Sequence, residues 1–529
     1  MKRSEARHGL TRREVLKAGA GVVAAPLVLG GAPVTAQQSG TPTGSDRAPK
    51  RGGSFAMART AGGRDLSGVN LTRSNFAFIR ALYNSLVRLD KDLNPQPELA
   101  TSWRFSPDGL NMTLTLRQGV RFHSGREFTS EEVRFSWEFA KDPSPLSPNL
   151  NRLFSLISDV KTPDKATVEL KFDKPCANVF DILDTLCMFD KTAMGKLNTS
   201  DAGSGPFVVT GFTPSAEIRM KRFDGYWEPG KPYLDEYIVR TIPDDPAMVL
   251  NLETKALDAI WAPALHEVSR LKGQPGLVAD PGAGAQGMFH LMANVTKGPL
   301  AVKKVRHAIN HAINRERCVR TALAGTIEPT CLMWPRGSWA YFADLEGRYP
   351  YDLGKAKALL AEAGYPGGFE TSILLSRKDN PPQFPIAQII QGDLAQIGIR
   401  ARLEDLEAAI YVSRMQRGEF ELCVHNYGRA NRDPGTTLTG AVTWYPKAEK
   451  GPIGFESADF VRWRDEAVTT LDREKRKPLY RKIQEYSLEE SFSMAIAGNQ
   501  SFWVYRDYMK GMWYSRESSP FVGDVWLDR

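Results

Sequence analysis

The sequence predicts an α/β protein built from two or three domains, and three observations lead there. Segments with apolar residues at helical intervals are interspersed with short alternating or continuous apolar runs, which is the signature of mixed helices and strands. No period of 20–50 residues recurs, which excludes solenoids and propellers. The 529 residues are 42% hydrophobic and 25% charged. Those proportions suit a soluble globular chain with ample core and exclude collagen, coiled-coil, disulfide-scaffold and bulk-disordered classes.

The elements follow in order. Trp103-Arg104-Phe105, the turn Ser106-Pro107-Asp108-Gly109, and the alternating Met112, Leu114 and Leu116 predict a β-hairpin. Thr129-Ser130-Glu131-Glu132 has capping-box spacing and opens a helix reaching about Lys141. Residues 301–324 keep Val302, Val305, Ile309, Ile313 and Val319 at helical intervals. Asp352 is placed to cap a helix ending at Gly364, and another runs from near Pro382 to Gly398. Each precedes an apolar strand candidate, Thr371–Leu375 and Ile399–Leu403. Asp472 opens a long charged helix to about Glu490, and Phe502–Tyr505 follows as a strand.

The formal charge is +8, from 69 Lys and Arg against 61 Asp and Glu. Half of it sits in the first 36 residues, where Lys2, Arg3, Arg7, Arg12, Arg13 and Lys17 face only Glu5 and Glu14. The weakly apolar run Ala18–Gly31 and the small-residue end Ala32-Pro33-Val34-Thr35-Ala36 complete the pattern of an export signal cleaved after Ala36. Thr11-Arg12-Arg13-Glu14-Val15-Leu16-Lys17 resembles the twin-arginine export motif, with Val where Phe is commoner. Residues 37–52 are polar and rich in Gly, Pro and Ser, as expected of a flexible arm. No later stretch offers 18 consecutive apolar residues. The remaining charge is dispersed among acids, so the positive stripe of a nucleic-acid binder is missing.

The five cysteines are Cys176, Cys187, Cys318, Cys331 and Cys423. An exported protein could join Cys318 to Cys331 across a helix end and a loop, and an odd count leaves at least one thiol free. Gly282-Ala283-Gly284-Ala285-Gln286-Gly287 fits the G-x-G-x-x-G string, but a strand follows where dinucleotide binding needs a helix. His307 and His311 are spaced to share a metal on one helix face, yet no third ligand is evident and packed or solvated histidines are the favoured reading. The chain has no G-x-S-x-G elbow and no C-x-x-C pair. Neither a metal nor a cofactor is expected.

What remains is a series of ordered blocks. Pro97-Glu98-Leu99-Ala100-Thr101-Ser102-Trp103 leads through Leu116-Arg117-Gln118-Gly119-Val120-Arg121-Phe122-His123-Ser124-Gly125 to Phe128-Thr129-Ser130-Glu131-Glu132-Val133. Ser204-Gly205-Pro206-Phe207, Tyr226–Asp235, Val305–Arg315, Ala356–Tyr365 and Leu394–Ile399 follow. Spanning about residues 50–515, these blocks resemble the peptide/nickel-type (family 5) extracellular solute-binding proteins of ABC importers. The chain departs from that pattern at Asn314, where Asp is usual, and at Phe223-Asp224, where Asn-Pro is usual.

The resemblance implies a class II-like, two-lobed periplasmic-binding-protein fold of the peptide-binding cluster, with a hinge and an extra inserted subdomain. It divides the chain into lobe I (53–80, 206–286 and 502–529), the inserted subdomain (81–205) and lobe II (287–501). It also implies a monomer that is not an enzyme, located in the periplasm. Such a receptor would hand a peptide-like, opine-like or organic-anion solute to an ABC permease, with no nucleic-acid partner. A periplasmic cofactor enzyme, and a sensor or chaperone of the same fold, are the competing functional classes. The solute cleft would be lined by Met57, Arg59 and Thr60, by Phe289, by Trp334 and Trp339, and by Tyr427, Arg429, Arg432 and Asp433.

One departure bears on specificity. Peptide-binding members keep an Asp, a few residues before an Asp-Pro, that pairs with the peptide α-ammonium; this chain has Ala430 there and retains Asp433-Pro434. A buried ammonium without that carboxylate loses charge-assisted bonds of about 1.5–3 kcal/mol each. Arg429 and Arg432 instead offer planar donor forks for a carboxylate or phosphate, unless protein acids such as Asp433 occupy them.

Overall fold

The computed structural model describes residues 48–62, 66, 75, 77–142, 148–193, 202–516 and 518–529. The export head and most of the arm lie outside the described residues. Two large sheets organise the rest. A seven-stranded sheet runs in the order Leu277–Asp280, Trp503–Arg506, Ala259–Trp261, Ser54–Arg59, Glu236–Thr241, Glu217–Arg222, Phe207–Thr213. Its central strand, Ser54–Arg59, is parallel to both neighbours. A five-stranded sheet runs Arg400–Asp405, Glu370–Leu375, Leu422–Gly428, Gly287–Ala293, Ser493–Asn499. A smaller four-stranded antiparallel sheet holds Ala100–Phe105, Asn111–Leu116, Thr167–Lys171 and Asp159–Asp164.

The local signals act as expected where they are self-contained. The hairpin pairs Trp103 with Leu114 and Phe105 with Met112, and Gly109 takes the left-handed φ of 71° that closes its turn. Thr129 and Glu132 form the reciprocal capping box of the helix Ser130–Lys141. Asp352 and Asp472 accept backbone N–H groups at the starts of Leu353–Glu362 and Arg473–Glu490.

The periodic stretch 301–324 is not one helix. It opens at Lys303, runs to Ala312, and breaks at Asn314, whose side chain accepts the Arg317 N–H at 2.9 Å and starts a short α-helical turn, Arg315–Arg317, that widens into a π-helical one over Cys318–Ala322. A local side-chain bond there offers the backbone an alternative that apolar spacing does not register. The proposed Cys318–Cys331 bridge is also absent, because all five cysteines are free thiols. Cys318 is buried in the apolar cluster of the five-stranded sheet, and the Cys331 sulfur lies 3.1 Å from the Glu346 carbonyl.

Packing divides the molecule. The cores of the seven-stranded and four-stranded sheets are continuous, with Phe55, Met57 and Tyr237 in the same cluster as Met112, Leu114 and Leu170. The five-stranded sheet buries separate clusters on its two faces, Phe289 and Leu291 on one and Met288 and Met292 on the other, as strand alternation requires. The chain passes between the two large sheets after Asp280 and again after Asn499. Gln500 ties these crossings together by donating to the Pro281 carbonyl at 3.1 Å. Among the described residues, no helix is long and apolar enough to cross a membrane.

Candidate solute site

The strand Leu422–Gly428 ends in a loop that begins with Arg429 and enters the short helix Pro434–Gly440. A cavity of about 460 Å³ opens beside this strand end, lined by Asp379, Asn380, His425, Tyr427, Arg429 and Thr443 among others. Asn380 donates to the Asn426 side chain at 2.9 Å, fixing two amides at its wall. His425 lies 2.8 Å from the Tyr411 hydroxyl, and burial lowers its pKa to about 4, so the ring is neutral at pH 7.

Arg429 is the cationic group of this wall. It is a non-glycine residue with φ of 67°, a conformation that costs about 1–3 kcal/mol and calls for outside support. Thr437 supplies part of that support by donating to the Arg429 carbonyl at 2.9 Å. The guanidinium rests on Gly440, where any Cβ would overlap Nη1. Its side chain makes no hydrogen bond or ion pair with any described residue. Desolvation lowers its pKa to about 10, with Arg432 adding in the same direction. It remains a cation at pH 7.

Its neighbours are all engaged. Arg432 is buried, 3.9 Å from both Asp181 and Asp184. Asp433 pairs with Arg476 and accepts the Gly435 N–H at 2.9 Å, capping its helix. Arg464 holds Glu449 at 2.6 Å. The charge pairing open at the sequence level for Arg432 and Asp433 is therefore internal to the protein.

The other predicted positions scatter. Met57, Phe289 and Trp334 are fully buried in apolar clusters. Trp339 is partly exposed, edge-on to Tyr480, with the Arg473 and Arg476 guanidinium carbons 4.8 and 5.2 Å from its ring centre. Tyr427 presents an edge to the cavity, but its hydroxyl donates to the Met333 carbonyl and its ring packs on His290 and Trp444. Thr60 is partly exposed at the end of the central strand of the seven-stranded sheet. Arg59, just before it, is 2% exposed, 5.6 Å from the Phe78 ring. The structure thus brings Tyr427 and Arg429 together at one cavity and places Arg59 on the other large sheet.

Sequence reasoning missed Asp379, Asn380, His425 and Thr443. The alternation of Leu422–Gly428 could have flagged His425 beside Tyr427's strand. Asp379 and Asn380 come from a loop that only tertiary folding brings near. His307 and His311 donate separately to the carbonyls of Glu489 and Pro350, at 2.6 and 3.0 Å.

Comparison with known proteins matches the family model described as bacterial extracellular solute-binding proteins, family 5 (middle), over residues 94–448. The chain belongs to this family. Heme-binding protein A of Haemophilus influenzae is 28% identical over 454 residues, covering 80% of this chain and 81% of that protein. Among solved structures, the ABC transporter-associated periplasmic binding protein DppA from Helicobacter pylori, in complex with peptide STSA, aligns with TM-score 0.76 and 29% identity. It covers 91% of this chain and 99% of that one. AgaA from A. tumefaciens R10, in complex with agropinic acid, aligns with TM-score 0.75 and 25% identity, covering 90% and 99%. The two-lobed fold of these family 5 proteins is the fold found here, and these homologues are solute-binding proteins rather than enzymes.

Proposed function

We propose that this family 5 protein is the solute receptor of an ABC importer and that its solute bears an acidic group held by Arg429. The observation that carries this reading is the Arg429 guanidinium at the cavity wall, without a hydrogen bond or ion pair to any described residue, whereas Arg432, Arg464 and Arg476 each have a partner. A partly buried cation with no anion beside it among the described residues is stabilised by an incoming carboxylate or phosphate, and two parallel N–H donors suit either. Ala430 is fully buried with its N–H donating to the Gln286 carbonyl at 3.0 Å, so no carboxylate meets a peptide ammonium at that position. A relative that binds agropinic acid and one that binds a peptide support this reading.

Closure follows from the topology. The two crossings near 281–286 and 500–502 act as the hinge, lobe I with its inserted subdomain moves as one body because they share a core, and solute contacts made only in the closed state drive the motion. The division at 53–80, 206–286 and 502–529, at 81–205 and at 287–501 is the corresponding set of boundaries. Export by the twin-arginine route, with cleavage after Ala36, would deliver the mature monomer to the periplasm.

A thermal-shift screen of opines, organic acids, acylated peptides and free-amine peptides tests the reading. A solute at 100 times its dissociation constant should stabilise the fold by about 2.7 kcal/mol. Calorimetry with the strongest hit then compares wild type with Arg429→Ala. Unchanged affinity for an acidic hit, or hits confined to uncharged solutes, would sink the proposal.

A further inference from the structure

The seven-stranded sheet carries a second arginine with no hydrogen-bond or anionic partner among the described residues. Arg59 ends the central strand, on the same face as Phe55 and Met57, and lies in register between Thr241 and Trp261. It is 2% exposed, and its Nε and Nη1 atoms are buried without a hydrogen-bond partner. No carboxylate lies within salt-bridge distance among the described residues. Its ionisable neighbour Tyr237 is neutral at pH 7, and that hydroxyl already donates to the Ala77 carbonyl at 2.5 Å. Desolvation lowers its pKa to about 10, so it too is charged at pH 7.

A structural arginine in this position would be expected to hold carbonyls or acids, as Arg80, Arg306 and Arg315 do elsewhere in this molecule. Removing water from a guanidinium without pairing it costs several kcal/mol. That cost is recovered when an anion arrives.

Its strand neighbours also lead toward the other large sheet. Trp261, beside Arg59 in the sheet, pairs with Trp503 on the next strand. The Trp503 indole donates to the Ser518 carbonyl at 3.1 Å, and Gln286 donates to the Ser518 hydroxyl at 2.5 Å. The Gln286 carbonyl in turn accepts the N–H of Ala430, next to Arg429. A continuous line of neighbours therefore joins Arg59 to Arg429 across the junction of the lobes, one on each side.

We propose that Arg59 is a second anion-recognition residue, so that the captured solute carries two acidic groups, one for each lobe. This inference rests on the solute-receptor reading and adds a substrate class to it: dicarboxylic or carboxylate–phosphate compounds rather than monoanions. Bridging two arginines on opposite lobes also gives the solute a contact available only on closure.

The test uses sodium sulfate as the probe, titrated into the ligand-free mature protein against sodium chloride of matched ionic strength. Melting temperature is the readout for wild type, Arg59→Met, Arg429→Met and the double variant, which supplies the nonspecific salt baseline. Arg59→Met should melt within about 2 °C of wild type or above it without sulfate, since an unpaired buried charge is removed. It should lose a large part of the wild-type sulfate increment, and Arg429→Met should lose a separate part. A wild-type-sized increment in Arg59→Met, an increment in wild type no larger than in the double variant, or a ligand-free Arg59→Met that melts far below wild type, overturns the inference. Loss in Arg429→Met alone would leave the Arg429 reading standing while removing this one; loss in Arg59→Met alone would remove the Arg429 reading and, with it, the two-acid solute. Tandem mass spectrometry of the solute retained by protein from periplasmic extract is the second measurement, and a solute with fewer than two acidic groups also overturns it.

Discussion

The Thr436 hydroxyl donates to the Asp181 carboxylate at 2.5 Å, joining positions 255 residues apart across the two lobes. The same carboxylate oxygen accepts the Asp433 N–H at 3.1 Å, and Asn178 donates to the Thr436 hydroxyl at 2.8 Å. Asp184 extends the network to Arg80 at 3.1 Å, while Asp433 extends it to Arg476. The lobes are thus latched by buried charges rather than by shared apolar core, an arrangement whose strength depends on every member being paired.

Burial is the main reason that the Asp181 pKa rises to about 6, with Asp433 and Asp184 adding to it and Arg432 and Thr436 opposing. A carboxyl that holds its proton more tightly when folded contributes stability that is complete below the unfolded value of about 3.9 and fades as pH climbs through 6. Asp181→Asn lacks this dependence. Its stability relative to wild type should therefore increase between pH 4 and 6, by at most about 1.4 kcal/mol per unit, and then level off. Urea melts of both proteins across that range measure it.

Arg432 and Arg429 should respond oppositely to loss of charge. Arg432→Met leaves Asp181 and Asp184 buried with less compensation, and such a change typically costs about 3–5 kcal/mol. Arg429→Met removes a cation with no anionic partner among the described residues and should leave the unfolding free energy within about 0.5 kcal/mol of wild type, or raise it. Equal losses in both variants would contradict the assignment of Arg429 to a ligand.

Gly440→Ala is a subtle probe of the same wall. The new methyl meets the far end of a flexible side chain, so the fold should tolerate it while the guanidinium is displaced. Affinity for an acidic solute should fall about tenfold, equivalent to about 1.4 kcal/mol, with melting temperature nearly unchanged. Calorimetry and a thermal melt on one preparation separate the two effects.

Acid should weaken the fold through histidine. Burial lowers the pKa of His123 and His425 to about 4 and holds that of His290 well below its ordinary value. Neutral in the native state, these rings charge more readily in the unfolded chain. Their contribution is present above the unfolded pKa of about 6.5 and is lost as pH falls toward 4. The urea midpoint of wild type should drop between pH 7 and 5, and the Asp181 effect only partly offsets it.

Five free, buried thiols make a final prediction. Thiol titration should find five reactive groups in denaturant and almost none in the native protein, since burial raises the pKa of Cys176, Cys187 and Cys318 to about 12. Reducing agent should leave the melting temperature unchanged, and a reductant-dependent drop would indicate a bridge after all.

The sequence alone determined what is local or cumulative. Hairpin alternation, the Thr129 capping box and the Asp352 and Asp472 caps are short-range chemistry, and the ordered blocks from Pro97 to Ile399 carried the family and with it the two-lobed fold. It also singled out the loop after Tyr427, because arginines stand there beside an Ala where a carboxylate would be expected. Only the tertiary structure decided which charges are satisfied. Arg429 and Arg432 are three residues apart and indistinguishable as side chains, yet one meets Asp181 and Asp184 from the other lobe and the other meets a cavity. Pairing depends on partners hundreds of residues away, and a position's electrostatic energy is a property of what folding places around it.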